Sequence, residues 1–179
     1  IPANGLPTFA NEVRLTNVGA AISVPLPFEF PFFDKKYDSM IVYPTGVLLF
    51  EPSLNTSLRF LGCNDVTELR TLSAIAPLFA QLTYGFAQPN EGIFMGTPSP
   101  STVSIRWTAE TLPAASLLGP LIPEPVNVAV TITSDGLITF HYGAGNQNLH
   151  TAAQTLSTCG PQPTVGISNG HDVYSRTFN

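Results

Sequence analysis

The run "VGISNGHD", Val165 to Asp172, brings together residue types used in acyl transfer: Ser168, His171 and Asp172, with Ser168 inside a G-x-S-x-G pattern of Gly166, Ser168 and Gly170. A nucleophile elbow of that pattern places the serine on a strained turn between a buried strand and a helix. The helix N-terminus and neighbouring N–H groups then stabilise the oxyanion. "TVGIS" can supply the strand. "NGHDVYSRTFN" predicts no helix, because it opens on Asn-Gly and spaces Val and Thr as a strand does. His171 and Asp172 also follow Ser168 too closely to fold back on it as a relay. The segment therefore reads as a strand followed by an Asn169-Gly170 turn. A serine hydrolase using Ser168 is kept as the minor alternative.

The other chemistry-bearing residues are spread thinly. His141 and His150 have no metal-ligand spacing, and Cys63 and Cys159 lie too far apart in sequence to complete a zinc site. His141 is expected to be a solvated strand residue, with Phe140 and Tyr142 on the opposite face. Asp34, Asp38, Asn64 and Asp65 are oxygen ligands of the kind calcium takes, but none forms the D-x-D-x-D-G loop, so turn and cap chemistry is their default role. No catalytic residue, metal site or cofactor is assigned. Structural calcium remains the alternative.

Cys63 and Cys159 can form one intrachain disulfide, which would close a loop of about 100 residues and contribute roughly 4–5 kcal/mol. Two buried thiols in a reducing compartment are the competing reading. Low lysine and abundant Thr and Asn lean toward an extracellular, disulfide-bonded chain. Asn55-Thr56-Ser57 is a glycosylation sequon, relevant if the source is a eukaryote.

These residues must be positioned by strands. "AISVPLPFEF" alternates Ile22, Val24, Leu26, Phe28 and Phe30 at period two, with Pro25 and Pro27 on the other face, which predicts an edge or interrupted strand. "SMIVYPTGVLLFEP" reads as a hairpin turning at Pro44-Thr45-Gly46. "STVSIRWTAET" alternates Val103, Ile105 and Trp107. "VNVAVTITSDGLITFHYG" is a second hairpin, turning at Ser134-Asp135-Gly136. "TVGIS" and "VYSRTF" are the last strand candidates. Helix is confined to "DVTELRTLSA", with Asp65 as N-cap, and "LHTAAQTLSTC". The expectation is one all-β domain over 1–179: an antiparallel, jelly-roll-like β-sandwich with long loops and one or two short helices.

Composition agrees. The chain has 179 residues, 44% of them hydrophobic and only 11% charged, with 17 Pro and 14 Gly. Such turn-rich chains suit short strands. A net charge of −5 and scattered arginines argue against nucleic acid. No run approaches the ~20 apolar residues of a membrane-spanning helix. The opening "IPANGLPTF" lacks a signal-peptide pattern, as a mature or excised secreted fragment also would.

Several motifs occur in a familiar order. "LPFEFPFFDKKYDSMIVYPTGVLLF", carried by Phe30, Pro31, Phe32, Phe33, Tyr37, Ile41, Gly46, Leu48 and Phe50, resembles the opening of the nidogen-type (NIDO-like) extracellular domain, also seen in plexin-domain-containing proteins and secreted bacterial proteins. "AIAPLFAQL", "TVSIRW", "VAVTITSDGLITFHYG" and "TVGIS" resemble later segments of that family, so the resemblance covers about residues 26–168. Asp34 stands where the family has glycine, and Gln81 where it has an acid. The resemblance implies a non-catalytic β-sandwich of secreted or cell-surface proteins.

The functional expectation is an extracellular interaction or adhesion module that binds protein or glycan through sandwich-edge loops. The binding candidates are Tyr84 and Phe86, within Gln81–Asn90, and Leu117, Leu118, Leu121 and Ile122, within Thr111–Pro125. Capping of the core by these side chains is the alternative. A structural spacer or assembly subunit of a larger surface protein, packed on flanking domains, is the second functional reading.

Overall fold

The computed structural model of the chain describes residues 11–15, 20–52, 66–84, 91–111, 125–143 and 164–177. In chain order these form β1 (Val13–Leu15), β2 (Ile22–Phe32), β3 (Lys35–Tyr43), β4 (Val47–Leu49), α1 (Val66–Arg70), β5 (Ser73–Phe79), β6 (Leu82–Thr83), β7 (Gly92–Ser99), β8 (Thr102–Thr111), β9 (Pro125–Thr133), β10 (Ile138–Tyr142), β11 (Thr164–Asn169) and β12 (Val173–Thr177). They make two open antiparallel sheets. The first runs β1-β7-β8-β9-β10, with β6 also on β8; the second runs β12-β11-β5-β4-β3-β2. The chain is an all-β sandwich with one short helix among the described residues.

Alternation decides which side chains meet between the sheets. In β8, Val103, Ile105, Trp107 and Ala109 point inward; in β9, Val126, Val128, Val130 and Ile132 do the same. They pack on Val24, Leu26, Phe30, Phe32, Met40, Val42, Leu48, Ile75 and Leu78 of the second sheet. Each buried side chain of this size contributes about 1.5–3 kcal/mol. β2 occupies a sheet edge, and its pairing with β3 is interrupted between Pro25 and Phe30, as its prolines predict.

Three side-chain donors tie the layers together. Trp107 Nε1 donates to the Tyr43 carbonyl at 2.9 Å, Tyr84 Oη to the Pro44 carbonyl at 2.6 Å, and Tyr142 Oη to the Pro77 carbonyl at 2.8 Å. Two of these acceptors belong to the β3–β4 turn, where Gly46 has φ 76°. A Cβ on Gly46 would overlap the Leu78 carbonyl oxygen, so this turn needs glycine for both conformation and space.

Both outer faces are partly buried as well. On the second sheet Val47, Leu49, Ala74 and Ala76 pack beneath Leu69 of α1 and the adjacent Leu72, forming a smaller second core. On the first sheet the buried outward residues include the polar Ser104, Arg106, Thr108 and Asn127, with Ala129 beside Arg106. Arg106 lies 4.2 Å over the Phe94 ring, donates to Thr108 Oγ1, and grips both carboxylate oxygens of Glu12 at 2.8 and 2.5 Å. That bidentate pair fastens the start of β1 to the sheet.

Candidate functional site

Ser168 is the penultimate residue of β11 and is fully buried beneath α1. Its hydroxyl donates to the Arg70 carbonyl at 3.4 Å and accepts the Gly170 N–H at 3.1 Å. The segment after it is a tight turn, in which Asn169 Oδ1 accepts the N–H groups of His171 and Asp172. Gly170 has φ 91°, and β12 then pairs back on β11. The strand–turn–strand reading holds here. His171 and Asp172 are exposed, and neither side chain is brought to the serine hydroxyl.

His141 differs from the solvated residue expected of it. It is half-buried, and Nε2 lies 3.0 Å from Thr131 Oγ1, which in turn lies 2.9 Å from Ser104 Oγ. Neighbouring β9 supplies the partner, which strand alternation alone does not reveal. Asp34 and Asp38 are exposed, with Asp38 accepting the Ser39 hydroxyl at 3.0 Å. Among the described residues no three His, Cys, Asp or Glu side chains cluster as a metal would require.

Of the binding candidates, Tyr84 is described. It is half-buried against the main core, and burial, with Glu91 nearby, raises its hydroxyl pKa well above the ordinary value. Phe86, Leu117, Leu118, Leu121 and Ile122 lie outside the described residues, as do Cys63, Cys159, His150, Asn55, Asn64 and Asp65.

An aromatic chain runs from the core to the surface at the end of the sandwich where β2 turns into β3. Phe30 and Phe50 lie 5.3 Å apart, Phe50 and Phe32 4.7 Å, and Phe32 and Phe33 4.7 Å in an edge-on contact. Phe33 then meets Tyr174 of β12, with ring centroids 6.4 Å apart and planes within 21° of parallel. Phe33 is 41% exposed and Tyr174 65%. β2 and β12 are opposite edges of one sheet, and this contact joins the turn after β2 to β12.

Phe33 is also strained. Phe32 pairs with Lys35, leaving Phe33-Asp34 as a two-residue turn in which Phe33 has φ 52°. Hairpin turns of this kind favour Gly or Asn at positive φ, and a bulky residue there is an outlier. Lys35 Nζ and Tyr37 Oη donate to Glu51 at 2.5 and 3.1 Å. The Lys35 hydrogen bond, then that of Tyr37, holds the Glu51 carboxyl below its ordinary range. Pro31 lies against the β9–β10 turn, where a Cβ on Gly136 would come within 3.2 Å of Pro31 Cγ; Leu137 beside it is 60% exposed.

No family model, curated protein or solved structure matches the chain.

The exposure of Phe33 and Tyr174 does not follow from the motifs that carry them. The available signal was "FFDKK": two aromatics followed by a turn, where the second cannot share the buried face of the first.

Proposed function

We propose that this chain is a non-catalytic interaction module of a secreted or cell-surface protein, contacting its partner through the end and edges of the β-sandwich. The observation that carries the reading is the Phe33–Tyr174 pair: two large rings left exposed, in contact with each other, one of them in a strained turn. Adjacent exposed aromatic rings are a candidate contact surface, and backbone strain of about 1–3 kcal/mol clusters at functional positions. The burial of Ser168, with its hydroxyl engaged by backbone groups, favours a structural role over a nucleophilic one. The motif order resembling NIDO-like domains supports the same role, and an extracellular setting would favour a Cys63–Cys159 disulfide.

The test is a crosslinking pull-down from the source organism's surface fraction with the 179-residue chain as bait. It is repeated with Phe33→Gly/Tyr174→Ala and with the segment between Thr111 and Pro125 replaced by a short Gly-Ser link. Capture of a distinct partner that is lost in either variant supports the module. Recovery of only the chain itself, or of flanking parts of its parent protein, overturns it in favour of an assembly subunit. Ester hydrolysis that disappears in Ser168→Ala overturns the non-catalytic reading.

A further inference from the structure

We infer that Asn169-Gly170 is a guarded self-modification site. The β11–β12 hairpin holds the Asn169 amide unreactive, and opening of β12 lets it convert irreversibly to isoaspartate. The chemistry belongs to the dipeptide. Gly170 has no side chain to shield its nitrogen, so that nitrogen can attack the Asn169 side-chain carbonyl carbon. The N–Cγ bond forms, the Cγ–Nδ2 bond breaks, and ammonia departs with the proton of the Gly170 amide. Solvent water then opens the cyclic imide. Addition at its main-chain carbonyl leaves the chain running through Cγ, which is isoaspartate; addition at the side-chain carbonyl leaves aspartate.

The native turn opposes each part of that closure. Asn169 is the last residue of β11, and forming the five-membered imide takes it out of extended geometry. Its Oδ1 accepts the His171 and Asp172 N–H groups at 2.9 and 2.7 Å, which fixes the side chain over the turn. The attacking nitrogen is occupied too. Gly170 N–H donates to Ser168 Oγ at 3.1 Å, and that hydroxyl is fully buried and donates to the Arg70 carbonyl. Gly170 sits at φ 91° in a turn closed by the Asn169 N–H on the Asp172 carbonyl at 3.3 Å. His171 and Asp172 lead directly into β12, so separation of β12 from β11 releases these restraints together. The change is one-way. Isoaspartate adds a methylene to the main chain at the tip of the hairpin, and the ladder from Ser168↔Val173 to Thr164↔Thr177 loses its register. β12 is an edge strand, so no second strand holds it in place.

The experiment incubates the whole chain in mildly alkaline buffer, folded, in sub-denaturing urea and fully denatured in guanidinium chloride. Peptide mapping by mass spectrometry follows Asn169, and hydrogen exchange follows the β12 amides. Asn4-Gly5, the other Asn-Gly pair of the sequence, shows in the denatured sample that the chemistry runs. The expected result is conversion at Asn169 in the denatured chain and conversion about tenfold slower or more in the folded one. In sub-denaturing urea the rate at Asn169 is expected to rise in step with exchange of the β12 amides. Converted chain returned to native buffer is expected to exchange its β12 amides faster than unconverted chain. Equal rates in the folded and denatured chains, or no conversion at Asn169 while Asn4 converts, overturns the assignment. A rate at Asn169 that does not follow β12 exchange, or converted chain whose β12 amides keep their protection, overturns it as well.

Discussion

The indole N–H of Trp107 reaches across the sandwich and donates to the carbonyl of Tyr43 at 2.9 Å. Trp107 belongs to β8 in the middle of one sheet, Tyr43 to the end of β3 in the other, so a single buried side chain joins the layers by packing and by a hydrogen bond. Trp107→Phe keeps most of the apolar volume and removes the donor. The Tyr43 carbonyl keeps the Gly46 N–H at 3.3 Å, so losing the indole donor costs about 1 kcal/mol. The expected outcome in urea is a lower unfolding midpoint at unchanged slope. An unchanged midpoint would mean the bond contributes nothing.

Gly46 combines a φ of 76° with a Cβ position overlapping the Leu78 carbonyl oxygen. Gly46→Ala meets both a backbone penalty and a clash with main chain, which cannot move as a side-chain tip can. The expected loss is about 3 kcal/mol or more, read by thermal or chemical unfolding. Thr45→Ala, one residue earlier, serves as a comparison without the positive φ.

The Glu12–Arg106 pair is nearly solvent-free, with side-chain exposures of 10% and 5%. Breaking it from one side by Glu12→Gln strands a buried guanidinium and is expected to cost about 3–5 kcal/mol. Replacing both partners, Glu12→Leu with Arg106→Met, removes the stranded charge and recovers most of that loss. A double-mutant cycle by urea unfolding measures the coupling.

The pH response turns on tyrosine. Tyr142 exposes 41% of its surface, but its hydroxyl is the sheltered end, donating to Pro77, and burial pushes its pKa up to about 12. An unfolded tyrosine ionises near pH ~10. A folded value raised above that gives a stability contribution that is full below about pH 10 and lost as pH rises through about 12. Melting temperature followed from pH 8 upward should fall in that window, and Tyr142→Phe should flatten the fall. Burial, with Glu91 nearby, raises Tyr84 as well, so it contributes in the same sense.

Strand identity was legible because apolar alternation in "AISVPLPFEF" and "VNVAVTIT", and the turn residues Gly46 and Gly136, act through local geometry that any sheet must obey. The proline-marked edge at β2 was readable for the same reason: a missing N–H cannot serve a central ladder. What alternation does not encode is what lies over the outer faces. Arg106 and Thr108 alternate as solvent-facing residues do, yet they are buried, because Glu12, far away in sequence, folds back onto that sheet. The Phe33–Tyr174 contact is invisible for a related reason. It joins residues from opposite edges of one sheet, a long-range contact that local alternation does not encode.

The most direct test of the interaction surface is site-specific photocrosslinking. A benzophenone side chain is placed at Tyr174 and, separately, at Val13, which is 65% exposed on β1 of the other sheet. Each protein is irradiated with the surface fraction of the source organism, with and without excess unlabelled wild-type chain. The account predicts an adduct from position 174 that the wild-type chain competes away, and none from position 13. Adducts from position 13 alone, or equal uncompeted labelling from both, would contradict it.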